Sequence, residues 1–308
     1  MKNGNNLIDC IKYGCLDKLY KVFACCLFVS VLVFFGSCNK EKGVSPAYLY
    51  IPSATLSTNY VDFGSDRAEI TDVWIYVNDN VLGVFDLPAL IPIIDTGMVK
   101  ISMEAGVLEN DFQSVRRPYP FFTFYNETIA LSSLQTDTIV PVFNYKSDAS
   151  LVFRNDFEGG NSLELREGFG STYNLSSGNQ AYEGARSGRV TLSGENAFFL
   201  LGAIDEFFLP QPISSTKLSY MELDYRNTSN FNLFLAGSEV INGQLVAFSE
   251  LALSLPTQPD WNKIYINLSN AIRLHPNAQS FNIVFQANLT DSLGMAEYFF
   301  DNVKVIHE

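Results

Sequence analysis

Few side chains in this sequence are placed for chemistry, and most of those are carboxylates. Glu222 and Asp224 stand two apart, on one face of a predicted strand over 218–226 that also carries Tyr220. Such a pair can act as acid and nucleophile in glycoside hydrolysis when the spacing is right. Asp301 lies in the apolar run 298–306, in step with Phe299, Val303 and Val305, and that alternation predicts the core side. A carboxylate there needs a cation or several hydrogen-bond donors. Asp156 and Glu158 close an earlier predicted strand that opens at Leu151, with Arg154 placed to pair with Asp156. The two histidines, His275 and His307, have no cysteine or H-x-x-x-H partner, which argues against zinc. No G-x-S-x-G elbow, phosphate-binding loop or dinucleotide fingerprint occurs. These residues predict no enzyme.

The elements that must position them are β-strands. Of 308 residues, 47% are hydrophobic and only 17% charged, far from the signature of disorder. The 25 Phe and 15 Tyr favour pleated surfaces, where aromatic side chains pack well. Val73, Ile75 and Val77 alternate with Trp74 and Tyr76, Asn78-Asp79-Asn80 makes a turn, and Val81 to Phe85 returns as a hairpin. Further strands are predicted over 97–106, 121–125 and 138–145. Past a boundary at 146–149, strands are predicted over 151–158, 188–193, 197–203, 218–226, 230–236, 246–255, 262–268, 281–288 and 298–306. Phe281, Ile283 and Phe285 supply one apolar face of the penultimate strand. No amphipathic helix of three turns is predicted after residue 37.

All five cysteines (Cys10, Cys15, Cys25, Cys26 and Cys38) fall in the first 38 residues, which excludes a disulfide framework in the body. Four lysines precede an apolar run of 14, Val22 to Phe35, that is broken only by Ser30. The run is short of the ~20 residues of a spanning helix but fits the apolar region of a secretory signal. Phe35-Gly36-Ser37-Cys38 resembles the lipobox of bacterial lipoproteins, with Phe35 where that family usually has Leu. The resemblance implies cleavage after residue 37 and a diacylglycerol and an acyl chain on Cys38, enough for firm anchoring. Residues 38–47 then read as a lipidated tether. Lys40-Glu41 is similar to the surface-export signals of Bacteroidota lipoproteins, but its single acid leaves the leaflet open. Asp137-Thr138-Ile139 and Asp291-Ser292-Leu293 fit the D-[ST]-apolar O-glycosylation pattern of that phylum. The net charge is −13, and −15 once residues 1–37 are removed, which disfavours nucleic acid as a partner.

The stretch 75–107 resembles PEGA-type and related Ig-like modules in its hairpin, proline-marked crossing and glycine-ended strand. Residues 148–308 resemble β-sandwich carbohydrate-binding modules and galactose-binding-like domains. The resemblance rests on Asp156-Phe157-Glu158, the segments 183–190 and 261–266, and Phe300-Asp301-Asn302-Val303. The expected fold is all-β: an Ig-like β-sandwich over 48–147 and a jelly-roll β-sandwich over 148–308, after a cleaved lipoprotein signal peptide. The second resemblance implies a structural Ca²⁺ held by Asp156, Glu158 and Asp301, since hard oxygen ligands suit that ion. The plainer alternative has Asp301 accepting backbone hydrogen bonds. Laminarinase-type hydrolases carry E-x-D-x-x-E on such a strand, but here Asn227 replaces the last acid, so Glu222 and Asp224 are expected on a solvated strand face.

Sugar binding needs exposed aromatic faces with polar edges. Tyr173, Tyr182, Tyr220, Tyr225 and Trp261 are the candidates. The expected function is therefore non-catalytic: an outer-membrane lipoprotein whose second sandwich binds a glycan. The alternative is a structural accessory of an outer-membrane complex for barrel assembly, export or nutrient uptake, with protein partners.

Overall fold

Alternation of apolar and polar residues sets both halves of the chain. A computed structural model describes residues 20, 21, 23, 43–111, 116–211, 213, 214, 216–289 and 294–308. Cys38, the apolar run before it apart from Phe23, and Asp291-Ser292-Leu293 lie outside those residues. Among the described residues no helix is long and apolar enough to cross a membrane.

The fold is all-β. In the first half, Asp72–Val77 pairs with Asn80–Asp86 through Asn78 and Asp79, both at positive φ (49° and 65°). Asn and Asp tolerate that left-handed backbone, and the two-residue turn matches the strand twist. Val73, Ile75 and Val77 point inward as the alternation requires. They meet Ala47, Leu49 and Ile51 from the strand Ala47–Ile51, which pairs with Ala89–Ile93 in a second sheet.

The second half is a two-sheet sandwich whose strands pass from sheet to sheet, as in a jelly roll. One sheet has the order Ser171–Ser177, Arg186–Ser193, Met295–His307, Ser219–Asn227, Gln258–Asn267, with Ser150–Asn155 also paired to Met295–His307. The other runs Leu163–Phe169, Phe198–Ala203, Ala278–Asn288, Phe231–Ile241, Gln244–Leu255. Phe285 from the second sheet stacks on Phe300 from the first at 4.5 Å, and Phe231 meets both rings. These inward rings dominate the core, where aromatic burial is most favourable.

The two cores are not insulated from one another. Residues Pro46–Glu308 form one compact unit, and the first core includes Tyr220, Tyr265 and Ile306 from the six-stranded sheet. The first sandwich therefore covers part of that sheet's outward face. The backbone of Asn110 also donates to the Tyr265 carbonyl at 2.9 Å.

Glu222 and Asp224 lie in this covered zone, and the expectation of a solvated strand face is overturned: both have 0% exposure. Glu222 Oε1 accepts from the hydroxyls of Tyr119 and Tyr145, each at 2.8 Å, both from the first half. Lys263 Nζ lies 3.4 Å from Glu222 Oε2 and 3.6 Å from Asp224 Oδ2. Lys304, opposite Glu222 in register, donates to the Ser65 carbonyl at 2.6 Å. Burial pushes the Glu222 carboxyl up, but Lys263 and Lys304 with the two tyrosine hydroxyls outweigh it and hold it below its ordinary value. Burial brings Lys304 down to about 8.

Removing one member of a buried charged set strands the others, at a cost of about 3–5 kcal/mol. Glu222→Ala is expected to lower unfolding stability by about that amount, read from urea midpoints. An effect the size of a surface mutation would show that the set is not dry.

Candidate functional site

Side chains on the outward face of the six-stranded sheet fall into successive rows across its strands. By register Tyr220 and Ile306 share a row under the first core, and Tyr265, also in that core, shares the next with Glu222 and Lys304. Asp224 and Lys263 follow, with Asp301. Beyond them lie Arg189, Phe299, Arg226 and Trp261. Arg189 and Arg226 are both register partners of Phe299, on its two flanking strands. Next to Arg226 the register slips: Tyr225 pairs with Asn262 and Asn227 with Gln258, so Pro259 to Trp261 oppose Arg226 alone. Such a bulge re-aims side chains at a sheet margin.

The last row is a ledge of rings and guanidinium groups. Trp261 stacks on Tyr182 with centroids 5.0 Å apart and planes 27° from parallel. Its edge meets Phe299 at 6.2 Å. The Arg226 guanidinium lies 3.9 Å from the Phe299 centroid and 5.5 Å from that of Trp261. Arg67 lies 4.4 Å over the Tyr182 ring and donates to its hydroxyl. Cation–π contacts of this kind hold both partners in place. Arg67 belongs to the loop 64–71 of the first half. The same loop supplies the Ser65 carbonyl to Lys304 and the Glu69 N–H to the Tyr265 hydroxyl.

Of the five aromatic candidates, the structure brings only Tyr182 and Trp261 together, both half-buried. Tyr225 is fully enclosed in the second core and Tyr220 is 4% exposed between the cores. Neither ring can meet a sugar, a correction that follows from their rows: Tyr225 is on the inward face and Tyr220 under the first sandwich. Tyr173 packs against the second core and donates to Asn161 Oδ1 at 2.6 Å, away from the ledge pair. Arg67, Arg189, Arg226 and Phe299 were not anticipated. For Arg226 a signal existed, since it continues the Glu222, Asp224 alternation.

Asp301 is buried, but not on the side predicted. Opposite Glu222 to Asp224 the strand Met295–His307 carries one extra residue: Glu222 pairs with Lys304 and Asp224 with Asp301, leaving 302 and 303 against Leu223. Asn302 has φ +47°. The bulge breaks the alternation, so Phe299 faces outward while Val303 and Val305 face the core. The Asp301 carboxylate accepts from the backbone N–H groups of Asn302 (2.8 Å), Glu183 (3.2 Å) and Tyr182 (3.3 Å). The carboxylate thus anchors the loop that carries Tyr182.

Asp156, Glu158 and Asp301 do line one cavity, of about 180 Å³, together with Glu183. Their oxygens are engaged by protein donors. Glu158 Oε1 accepts from the N–H groups of Ala185 and Arg186, both at 2.8 Å, and Asp156 Oδ2 accepts from the Tyr60 hydroxyl at 2.7 Å. Arg154 lies 3.8 Å from Asp156. Among the described residues no three His, Cys, Asp or Glu side chains are gathered to hold a metal ion. The backbone donors on Asp301 and the arginine beside Asp156 are the contacts of the plainer alternative.

Glu222 and Asp224, without exposed surface, cannot reach a substrate. His275 lies between Glu239 (2.9 Å) and Glu250 (3.2 Å) and stacks on Phe248, a packed arrangement. His307 bonds to the Ser219 hydroxyl at 2.7 Å, also buried.

No family model matches the chain, and no curated protein matches it. Among solved structures it is similar to a family 11 carbohydrate-binding module of a cellulosomal cellulase from Clostridium thermocellum, at 18% identity and a TM-score of 0.33, over 51% of this chain and 95% of that one. It is also similar to a xylan-binding domain from family 22, at 15% identity and TM-score 0.35, over 51% of this chain and 95% of that one. A carbohydrate-binding module of the β-sandwich superfamily matches at 15% identity and TM-score 0.35, over 76% and 84%. Scores of this size establish no shared ligand, and the fold assignment rests on the strand pairings above.

Burial raises the Asp301 carboxyl from 3.8 to about 7. Between those values the folded chain holds a proton that the unfolded chain releases, so this group makes stability fall as pH rises through that window. Asp301→Asn removes the titration. Its urea midpoint is expected to change less between about pH 4 and about pH 7 than that of the parent; equal slopes would contradict the raised value.

Proposed function

We propose that this chain is a non-catalytic lipoprotein, anchored at the outer membrane through Cys38, whose second sandwich binds a glycan on the Tyr182–Trp261 ledge. One observation carries the binding reading. Two half-exposed aromatic rings are stacked on each other and clamped by Arg67 and Arg226 on the part of the sheet face beyond the buried charges. Rings locked before binding lose little freedom when a sugar settles on them. Tyrosine and tryptophan combine apolar area with a polar tip, which suits a ligand with C–H faces and hydroxyl edges. The anchor reading is supported by the short apolar run, the small residues before Cys38 and the absence of any later cysteine.

A second reading, the accessory of an outer-membrane protein complex, is favoured by a groove on the first sandwich. It is about 250 Å³ and is lined by Val77, Val81, Leu82, Pro92, Ile93 and Ile94, with Val81 70% and Ile94 67% exposed. Exposed apolar surface of this kind is used for partner contact.

Affinity electrophoresis of the protein in gels containing soluble polysaccharides tests the first reading. Retardation is expected, and Trp261→Ala is expected to weaken it roughly tenfold or more, while Tyr173→Phe leaves it unchanged. A blank panel with co-purifying barrels from solubilised membranes would transfer the role to the second reading. For the anchor, Cys38→Ala is expected to release the protein from the membrane fraction and to abolish fatty-acid labelling. Continued membrane association with unchanged mass would refute lipidation at Cys38.

A further inference from the structure

The charge of the ledge narrows the class of ligand. The chain carries 33 acidic and 20 basic residues, so an arginine side chain has many carboxylates to choose from. Arg189 pairs with Glu297, Arg154 with Asp156 and Arg116 with Asp86. Among the described residues neither Arg67 nor Arg226 has a carboxylate partner. Two acids near Arg67 are committed elsewhere: Glu183 accepts from Ser65 and Asn302, and Asp224 from Asn302 with Lys263 beside it. Arg226 is held by Phe299 and Trp261, with no carboxylate among the described residues against its guanidinium.

We infer that the ledge takes an acidic glycan, with a carboxylate or sulfate of the polymer paired to Arg226 and Arg67 while a sugar ring rests against Trp261 and Tyr182. The inference rests on the glycan-binding reading above. A planar guanidinium fork matches the two oxygens of a carboxylate or sulfate, a geometry that a neutral hydroxyl does not reproduce. The Phe299 and Trp261 rings hold the Arg226 guanidinium in place before the ligand arrives. An acidic body repels a polyanion at long range, so recognition must come from these local contacts.

Binding of the full chain to polygalacturonate, which bears only carboxylates, and to carrageenan, which bears only sulfates, separates the two sources of charge. Each is measured against its own carboxyl-reduced or desulfated counterpart. At least one charged polymer is expected to bind about tenfold or more tightly than its neutral form. Arg226→Gln and Arg67→Gln should each erase that preference, while Arg226→Lys restores part of it. Arg67 lies on a loop, so its substitution does not disturb the sheet. Equal binding of charged and neutral forms, unaltered by either glutamine variant, would overturn the acidic class and leave glycan binding standing. No binding to any polymer, charged or neutral, would overturn both.

Discussion

The buried charges between the two cores are the constraint on which the rest of the structure depends. Glu222 cannot be solvated where it lies, so it must take hydroxyls from Tyr119 and Tyr145 and charge from Lys263. Those partners come from both halves of the chain. Meeting them fixes how the first sandwich is seated on the six-stranded sheet, because a shift would orphan several buried polar groups at once. Apolar contact through Tyr220, Tyr265 and Ile306 supplies burial there, but oily contact is non-directional. Directional groups are what specify one seating among many.

From that seating the ledge follows. The loop 64–71 is held by Lys304 and Tyr265, which brings Arg67 over Tyr182. Asp301, set by the bulge at 302–303, draws in the backbone of Tyr182 and Glu183. The same sheet that buries Glu222 and Asp224 at one end leaves Arg226, next on that face, beside Trp261. Covered row and ledge are two ends of one alternation.

Much of the strand pattern was legible in the residues. The strands predicted at 188–193, 197–203 and 281–288 are observed as Arg186–Ser193, Phe198–Ala203 and Ala278–Asn288. Leu163–Phe169 and Ser171–Ser177 escaped notice because LELREGF and STYNLSS lie on sheet margins and carry little apolar alternation. Period-two reading also failed wherever a bulge intervened, as at Asp301 and at Trp261, since one slipped residue exchanges inside for outside. Glu222 and Asp224 were misplaced for a different reason. Alternation tells which face a side chain takes but not whether another sheet will cover that face.

The origin of Arg67 has a practical bearing on anyone wishing to move the second sandwich into another protein. Binding modules are often treated as cassettes that can be excised and fused at will. Here a cut near residue 148 would take Arg67 from the ledge and uncover Tyr220, Tyr265 and Ile306, while Glu222 would lose both phenol donors. The portable piece of this protein begins at Pro46, not at the apparent seam.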